Sequence, residues 1–418
     1  VAFAVAALFH ASLVSLFSQD AVRASLAGEQ AAEARRRAAA TVGYYNLKLG
    51  PAALQLSSAI ELEVNDNVEI EQSQGGGADF VLRPQLGIHS VWPITERNRL
   101  HFSFSGGYAK YFSHSDLNRF FIQSGSDSGL SLDVYAGDFL INLHDRFSLT
   151  EQPYENASVS GNGDYGYFEN TVGVNTIWDL NKLVINFGYD HVNRISTSSS
   201  FDQQDGSSEI FFARAGVEVR PGSRVGLEAG GGFTDYRKQS LNDTAQYNVG
   251  LFYQAQISQY IGVEAFGGYT EYLPDLGVVE DPETGALVQD EDSISSFYGG
   301  LSLNHRLNKF ITYSVTGGHQ IQLGLFSNTL DLYYARAQAN WAVLKKVTIT
   351  TALFYEDGEE SRQDGEKFER FGADILVGRE LTQKLTGAIQ YGFLLKESNL
   401  ADHDYIQNRV VFRLTYRF

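Results

Sequence analysis

Along most of the chain, apolar residues recur at every second position. In 385–396, Leu385, Gly387, Ile389, Tyr391, Phe393 and Leu395 share one face, and Thr386, Ala388, Gln390, Gly392 and Lys396 the other, with Leu394 the exception. The segments 247–257 and 211–219 repeat the pattern. A helix would place its apolar residues three and four apart, so this period of two predicts strands. Segments of this kind lie near 54–66, 78–92, 99–113, 126–135, 138–150, 165–178, 182–195, 208–220, 224–237, 244–257, 260–272, 294–305, 309–322, 331–343, 346–357, 368–379, 384–396 and 405–418. That makes eighteen strands, with sixteen as the alternative.

The connections alternate in length. Ala136-Gly137-Asp138, Asn181-Lys182, Pro221-Gly222-Ser223, Asn308-Lys309, Lys345-Lys346 and Thr382-Gln383 are tight turns. Between them fall longer polar stretches: 67–77 with Gly75-Gly76-Gly77, then 151–164, 196–207, 273–293, 323–330, 357–367 and 397–404. Strands of about ten residues with short turns at one end and long loops at the other describe a transmembrane antiparallel up-and-down β-barrel, turns toward the periplasm and loops outside. An internal repeat agrees. VGLEAGGGFTDY (225–236) and IGVEAFGGYTEY (261–272) are identical at seven of twelve positions, 36 residues apart, about one hairpin.

The two chain ends differ from the body. Residues 1–24 open on one apolar stretch, Val1 to Phe17, followed by small residues at Ser18, Ala21 and Ala24, and read as a signal peptide whose start is expected upstream of Val1. Residues 25–42 are Ala-rich and charged and read as a periplasmic lead-in, with Arg35, Arg36 and Arg37 as a solvated face. The barrel is expected over 43–418. At the other end, Val410, Phe412, Leu414, Tyr416 and Phe418 are apolar at alternate positions up to the last residue.

Composition narrows the function classes. The net charge of −18 disfavours nucleic acid, whose binding needs cations to neutralise phosphates. With no cysteine there is no disulfide, no thiol nucleophile and no Cys-based zinc site. Gly at 41, Tyr at 23 and Phe at 28 against only 7 Pro fit a β-rich, aromatic wall.

The terminal strand resembles the β-signal that outer-membrane proteins present to the barrel-assembly machinery. With Leu49-Gly50-Pro51 and the acidic-Asn end Glu63-Val64-Asn65-Asp66-Asn67 of the first strand, the chain over 43–418 resembles the β-barrel porin families of Gram-negative outer membranes, including uncharacterised barrels found with exopolysaccharide-export systems. The resemblance implies an outer-membrane pore or export role and leaves the solute open.

If one face meets lipid, the other lines a lumen. The expected pore-lining residues are Arg83, His144, Arg146, Arg214, Glu218, Glu228, Glu264, Arg336, Asp374, Arg409 and Arg413. Glu61, Glu63, His89, Asp133 and Glu169 belong to the same inward set. On the lipid face a midplane Arg or Lys would cost roughly 2–4 kcal/mol. Trp92, Trp178 and Trp341 all lie beside short turns and should form one interfacial belt. Two loops rich in carboxylates, 280–292 and 356–366, suggest an acidic vestibule favouring cations, or a surface holding divalent ions among lipopolysaccharide phosphates. No enzyme is expected. The nearest look-alike to a nucleophile elbow, Gly125-Ser126-Asp127-Ser128-Gly129, has Asp where Ser is needed. His144 with serines on neighbouring strands is the best hydrolytic candidate, and His191 and His319 look isolated. No cofactor or metal is expected. The functional classes are a passive diffusion porin for small hydrophilic solutes, a barrel for polysaccharide export, and a non-conducting structural barrel, each among outer-membrane lipids and lipopolysaccharide.

Overall fold

The computed structural model describes residues 45–72, 77–123, 128–281 and 284–418. The expected signal and lead-in segments, the Gly75-Gly76 pair, Gly125 to Asp127 and Pro282-Glu283 lie outside them. Eighteen antiparallel strands form a closed cylinder. They are β1 (Ala52–Asn65), β2 (Asp79–Pro93), β3 (Arg99–Tyr111), β4 (Gly129–Ala136), β5 (Phe139–Thr150), β6 (Tyr167–Leu180), β7 (Leu183–Ser196), β8 (Gly206–Arg220) and β9 (Ser223–Tyr236). They continue with β10 (Thr244–Gln256), β11 (Ile261–Pro274), β12 (Ile294–Arg306), β13 (Ile311–Leu323), β14 (Thr329–Leu344), β15 (Val347–Glu360), β16 (Lys367–Glu380), β17 (Leu385–Ser398) and β18 (Tyr405–Arg417).

Each strand pairs with its neighbours in sequence, and β18 closes on β1 from Ser57↔Arg417 to Asn65↔Arg409. Closure leaves no free edge, the condition for a sheet to sit in hydrocarbon. β4 is short, and Arg119–Ile122 completes its place by pairing with β3 from Gly106↔Ile122 to Ala109↔Arg119. Tight turns are made where the backbone needs a left-handed residue: Gly137 (φ 61°), Asn181 (φ 65°) and Gly222 (φ 76°). The strands run 13 to 16 residues apart from β4 and β5. That is longer than the roughly 9–11 a bilayer requires.

The surplus length lies at the loop end. Near the turn end and mid-height the outer face is aliphatic or aromatic, as with Leu86, Leu227, Leu251, Leu301 and Leu414, all more than half exposed. Toward the loop end it becomes polar. Tyr189 and His191 meet Glu209 there, Tyr247 meets Glu271, and His319 meets Asp331. The packed interior lies within the cylinder, at its loop end. Ile70, Tyr154, Val159, Tyr165, Tyr167, Phe201, Leu325, Phe354, Leu394 and Tyr405 form one buried apolar cluster there. It joins walls as far apart as β6 and β15–β18 through side chains contributed by four loops.

Candidate functional site in the barrel interior

The segment 151–166 leaves β5 and crosses the interior. Its short helical turn Pro153–Glu155 seats Tyr154 against the far wall. The Arg409 guanidinium of β18 lies 3.8 Å from the Tyr154 ring, and Arg370 of β16 donates to the Tyr154 carbonyl at 2.8 Å. Glu151 accepts from Arg83 of β2 at 2.8 Å, and Arg83 also bonds Glu63 of β1 at 2.6 Å. Further along, Lys396 of β17 donates to Ser160 at 2.9 Å, Ser160 donates to the His403 carbonyl at 3.1 Å, and Ala157 packs with Leu330, Leu332 and Phe368. A loop held by guanidinium, ammonium and apolar contacts at once is fixed in place.

Beneath and beside this loop the wall of β15–β18 and β1–β2 carries many paired charges. Glu356 lies between Arg336 at 3.1 Å and Arg370 at 3.3 Å. Lys396 meets Glu366 at 2.7 Å with both side chains almost fully buried, Arg362 meets Glu360 at 3.0 Å, and Arg413 meets Glu61. Burying such ions costs several kcal/mol each unless partners restore what water provided. Within the loops, burial pushes the Glu366 carboxyl up, but bonds from His403 and Lys396 bring it below its ordinary range. Glu155 has no such help: burial and the neighbouring Glu151 push it up to about 8, against the pull of Arg409 and Arg83.

The wall of β8–β13 is different. Two openings lie on it, one at each end. Near the loops is a cavity of about 70 Å³ lined by Asn156, Ser158, Gln204, Ser208, Thr234 and Gln322 among others. Near the turns is one of about 470 Å³, lined by Glu218, Arg224, Gln254, Glu264, Asn304 and Thr312 among others. Between them Arg214 of β8 bonds Glu264 of β11 at 2.6 Å and lies 3.6 Å from Glu228 of β9. Its guanidinium covers the Phe252 ring at 3.6 Å, and Tyr298 donates to Glu228 at 3.2 Å. Glu228 and Glu264, equivalent in the sequence repeat, therefore converge on one arginine.

The other expected residues fall as follows. His144 bonds Asn142 at 3.1 Å and Asp190 at 2.9 Å, in a polar row that continues through Asp133 to His101. No serine is among these partners. A Ser–His side-chain contact that sequence reading missed joins Ser103 to His89 at 2.7 Å. Gly173 makes room for the His144–Asp190 pair, since a Cβ there would meet both side chains. Asp374 accepts from Gln390 at 2.9 Å, Glu218 accepts from the Gly222 amide at 3.1 Å, and Arg146 lies on β5 opposite Gly129 of β4. Trp92, Trp178 and Trp341 pair with Leu100, Phe139 and Ile311, the first or second residues of the adjoining strands at the turn end. Phe412, Leu414, Tyr416 and Phe418 are exposed, and Val410 is half-buried.

Two expectations are corrected. His191 and His319 are not isolated: His191 bonds Glu209 at 2.8 Å, and His319 bonds Asp331 at 2.6 Å and stacks on Tyr333. The stretch 356–366 is an open acidic surface only in part: Glu356, Glu360 and Glu366 are buried against cations, while Asp357, Glu359 and Asp364 are exposed. In the other acidic loop Asp290 is likewise buried, accepting from the Asn328 amide at 2.7 Å. Repeated carboxylates in sequence looked solvated, but a closed interior supplies them with arginines from distant strands.

An apolar belt outside, a closed sheet and charges within have one setting. This is a closed eighteen-strand barrel of the outer membrane. No protein-family model matches the sequence, and no curated protein does. Solved structures overlap it in part. The outer membrane channel DcaP of Acinetobacter baumannii is 10% identical, over 90% of this chain and 100% of that one, at TM-score 0.45. Pseudomonas aeruginosa OpdK with vanillate is 10% identical, over 87% and 99%, at 0.48. Pseudomonas aeruginosa OccK5 (OpdH) is 10% identical, over 88% and 99%, at 0.49. The functional reading rests on this chain's own geometry.

Proposed function

We propose that this barrel is a passive channel for small hydrophilic solutes, narrowed at its loop end by 151–166. The observation that carries it is the pair of cavities near the two ends of β8–β13, the loop-end one bordered in part by Asn156 and Ser158 of loop 151–166. A tightly seated loop is what sets the cut-off of a diffusion channel, since eighteen strands alone enclose a wide aqueous lumen. Arg83, Arg146, Arg214, Glu218, Glu228, Glu264 and Arg336 on the inner face are then groups that a solute passes or that hold the narrowing loop and its wall. His144, Asp374, Arg409 and Arg413 complete that inner face. Trp92, Trp178 and Trp341 act as the turn-side membrane anchor. The strand ending Val410, Phe412, Leu414, Tyr416 and Phe418 is the element offered to the assembly machinery.

Planar-bilayer recording of the refolded protein tests this. Discrete single-channel steps are expected, and silent bilayers would leave the non-conducting structural reading in its place. Polysaccharide export has one observation in its favour, the broad cavity at the turn end, where a chain leaving the periplasm would enter. On that reading, added polysaccharide blocks current from the turn side alone.

A further inference from the structure

The turn-end cavity carries its charges unlike the covered sector. Two carboxylates, two guanidiniums and an imidazole border it: Glu218 of β8, Arg224 of β9, Glu264 of β11, and His305 and Arg306 of β12. Two of these groups are engaged within the wall. Glu264 bonds Arg214 at 2.6 Å, and His305 meets the Tyr313 hydroxyl at 2.9 Å. The other three are not matched to one another. Glu218 and Arg224 are direct cross-strand partners on β8 and β9, yet they form no ion pair. Opposite charges so placed ordinarily attract one another into contact.

The local structure explains why they stay apart. The Glu218 carboxylate is drawn to the tight turn, where it accepts from the Gly222 amide at 3.1 Å. The Arg224 stem lies in a notch left by Gly216 of β8. A Cβ on Gly216 would come within 2.6 Å of the Arg224 Cδ and 2.7 Å of the Phe252 ring. The Arg224 Nε is buried there and has no hydrogen-bond partner among the described residues. Arg306 reaches the Gln259 carbonyl at 3.4 Å and lies 5.3 Å from the centre of the Tyr260 ring, with no carboxylate partner among the described residues. The cavity therefore presents one carboxylate and two guanidiniums that the wall itself leaves unmatched.

We propose that the turn-end cavity is a binding site for small zwitterions, α-amino acids being the chemical class. Arg224 and Arg306 take the solute carboxylate, for which a guanidinium offers paired N–H donors. Glu218 takes the ammonium. Gln254, Asn304 and Thr312, which also border the cavity, meet the rest of the molecule. A solute carrying only an anion gains nothing from Glu218, and one carrying only a cation gains nothing from the two arginines. The volume of about 470 Å³ falls within the roughly 300–1,000 Å³ of small-molecule sites. Binding here needs no passage through the barrel, so the site goes beyond the channel reading and stands apart from it.

Saturation-transfer NMR titration of the full barrel in nanodiscs tests it, with serine, glycerate and ethanolamine as probes. Glycerate replaces the ammonium of serine by a hydroxyl, and ethanolamine lacks the carboxylate. Serine should bind roughly tenfold more tightly than either, the worth of one hydrogen bond to a charged group. Glu218→Gln should weaken serine and ethanolamine but not glycerate. Arg224→Gln should weaken serine and glycerate but not ethanolamine. Should either variant fail to assemble, the ranking of the three probes on the unaltered barrel decides alone. Serine binding no more tightly than glycerate or ethanolamine, or variants that change all three probes alike, would overturn the site. A barrel that selects serine yet is silent in planar bilayers would keep the site and lose the channel reading. A conducting barrel that does not select serine would do the reverse.

Discussion

Two sectors of one wall solve opposite problems. Where 151–166 lies against β15–β18 and β1–β2, buried ions are paired, as in Lys396–Glu366 and Arg83–Glu63. On β8–β13 the larger, turn-end cavity is instead bordered by Glu218, Arg224, Gln254 and Glu264. The difference teaches that the charges under loop 151–166 chiefly hold that loop, while those around the turn-end cavity border open space. Reading every inward ion as a selectivity element confuses the two.

The largest expected effect comes from removing the contrast. Replacing 152–163 by a short Gly-Ser link should raise single-channel conductance severalfold, and unchanged conductance would mean the loop does not narrow the path. Next comes the stability of the covered sector. Lys396→Met strands the buried Glu366 carboxylate and should cost about 3–5 kcal/mol in urea unfolding of the folded barrel in vesicles. Lys238→Met, which breaks the exposed pair with Asp202, should cost less than about 1 kcal/mol. Equal losses would erase the distinction.

Much of this was legible beforehand, for a physical reason. A strand in a bilayer has two solvents, and Leu251, Ile389 and Phe412 declare which side meets lipid. The turns declare themselves through Gly137, Asn181 and Gly222. The covered sector was harder, because loop residues carry no period. Its traces were present as exceptions. Leu394 broke the alternation of its strand because it is buried in the same apolar cluster as Tyr154 and Tyr165. Phe354 and Phe368 face the packed interior for the same reason. The loop itself carries Tyr154, Val159 and Tyr165, an apolar content that an exposed connection has no use for. The convergence of Glu228 and Glu264 on Arg214 depends on the stagger of the four strands β8 to β11, which spacing along the chain does not reveal.

Smaller effects sharpen the comparison on the open side. Glu264→Gln should lower the cation-to-anion permeability ratio by a factor of about three, since a unit charge about 6 Å from a passing ion in water is worth about 0.7 kcal/mol. A reversal potential unchanged in a salt gradient would remove Glu264 from the path. The smallest effect concerns pH. Because the Glu155 carboxyl is pushed up to about 8 from its ordinary 4.5, its protonated form favours the seated loop. That support is complete below about 4.5 and is lost as pH rises through about 8. Glu366, held below its ordinary range, acts in the opposite sense and loses its support only as pH falls through its lowered value. Gating events should therefore become more frequent from pH 6 to pH 9, and Glu155→Gln should flatten that trend.

The seam between Ser57 and Arg417 has a consequence for biogenesis. The two strands that complete the cylinder lie far apart in the sequence, so closure must wait until every strand between them and β18 itself has been exported. Until then a greasy curl of sheet has two raw borders in an aqueous compartment. Such an intermediate stays open to edge-to-edge association until its two borders meet.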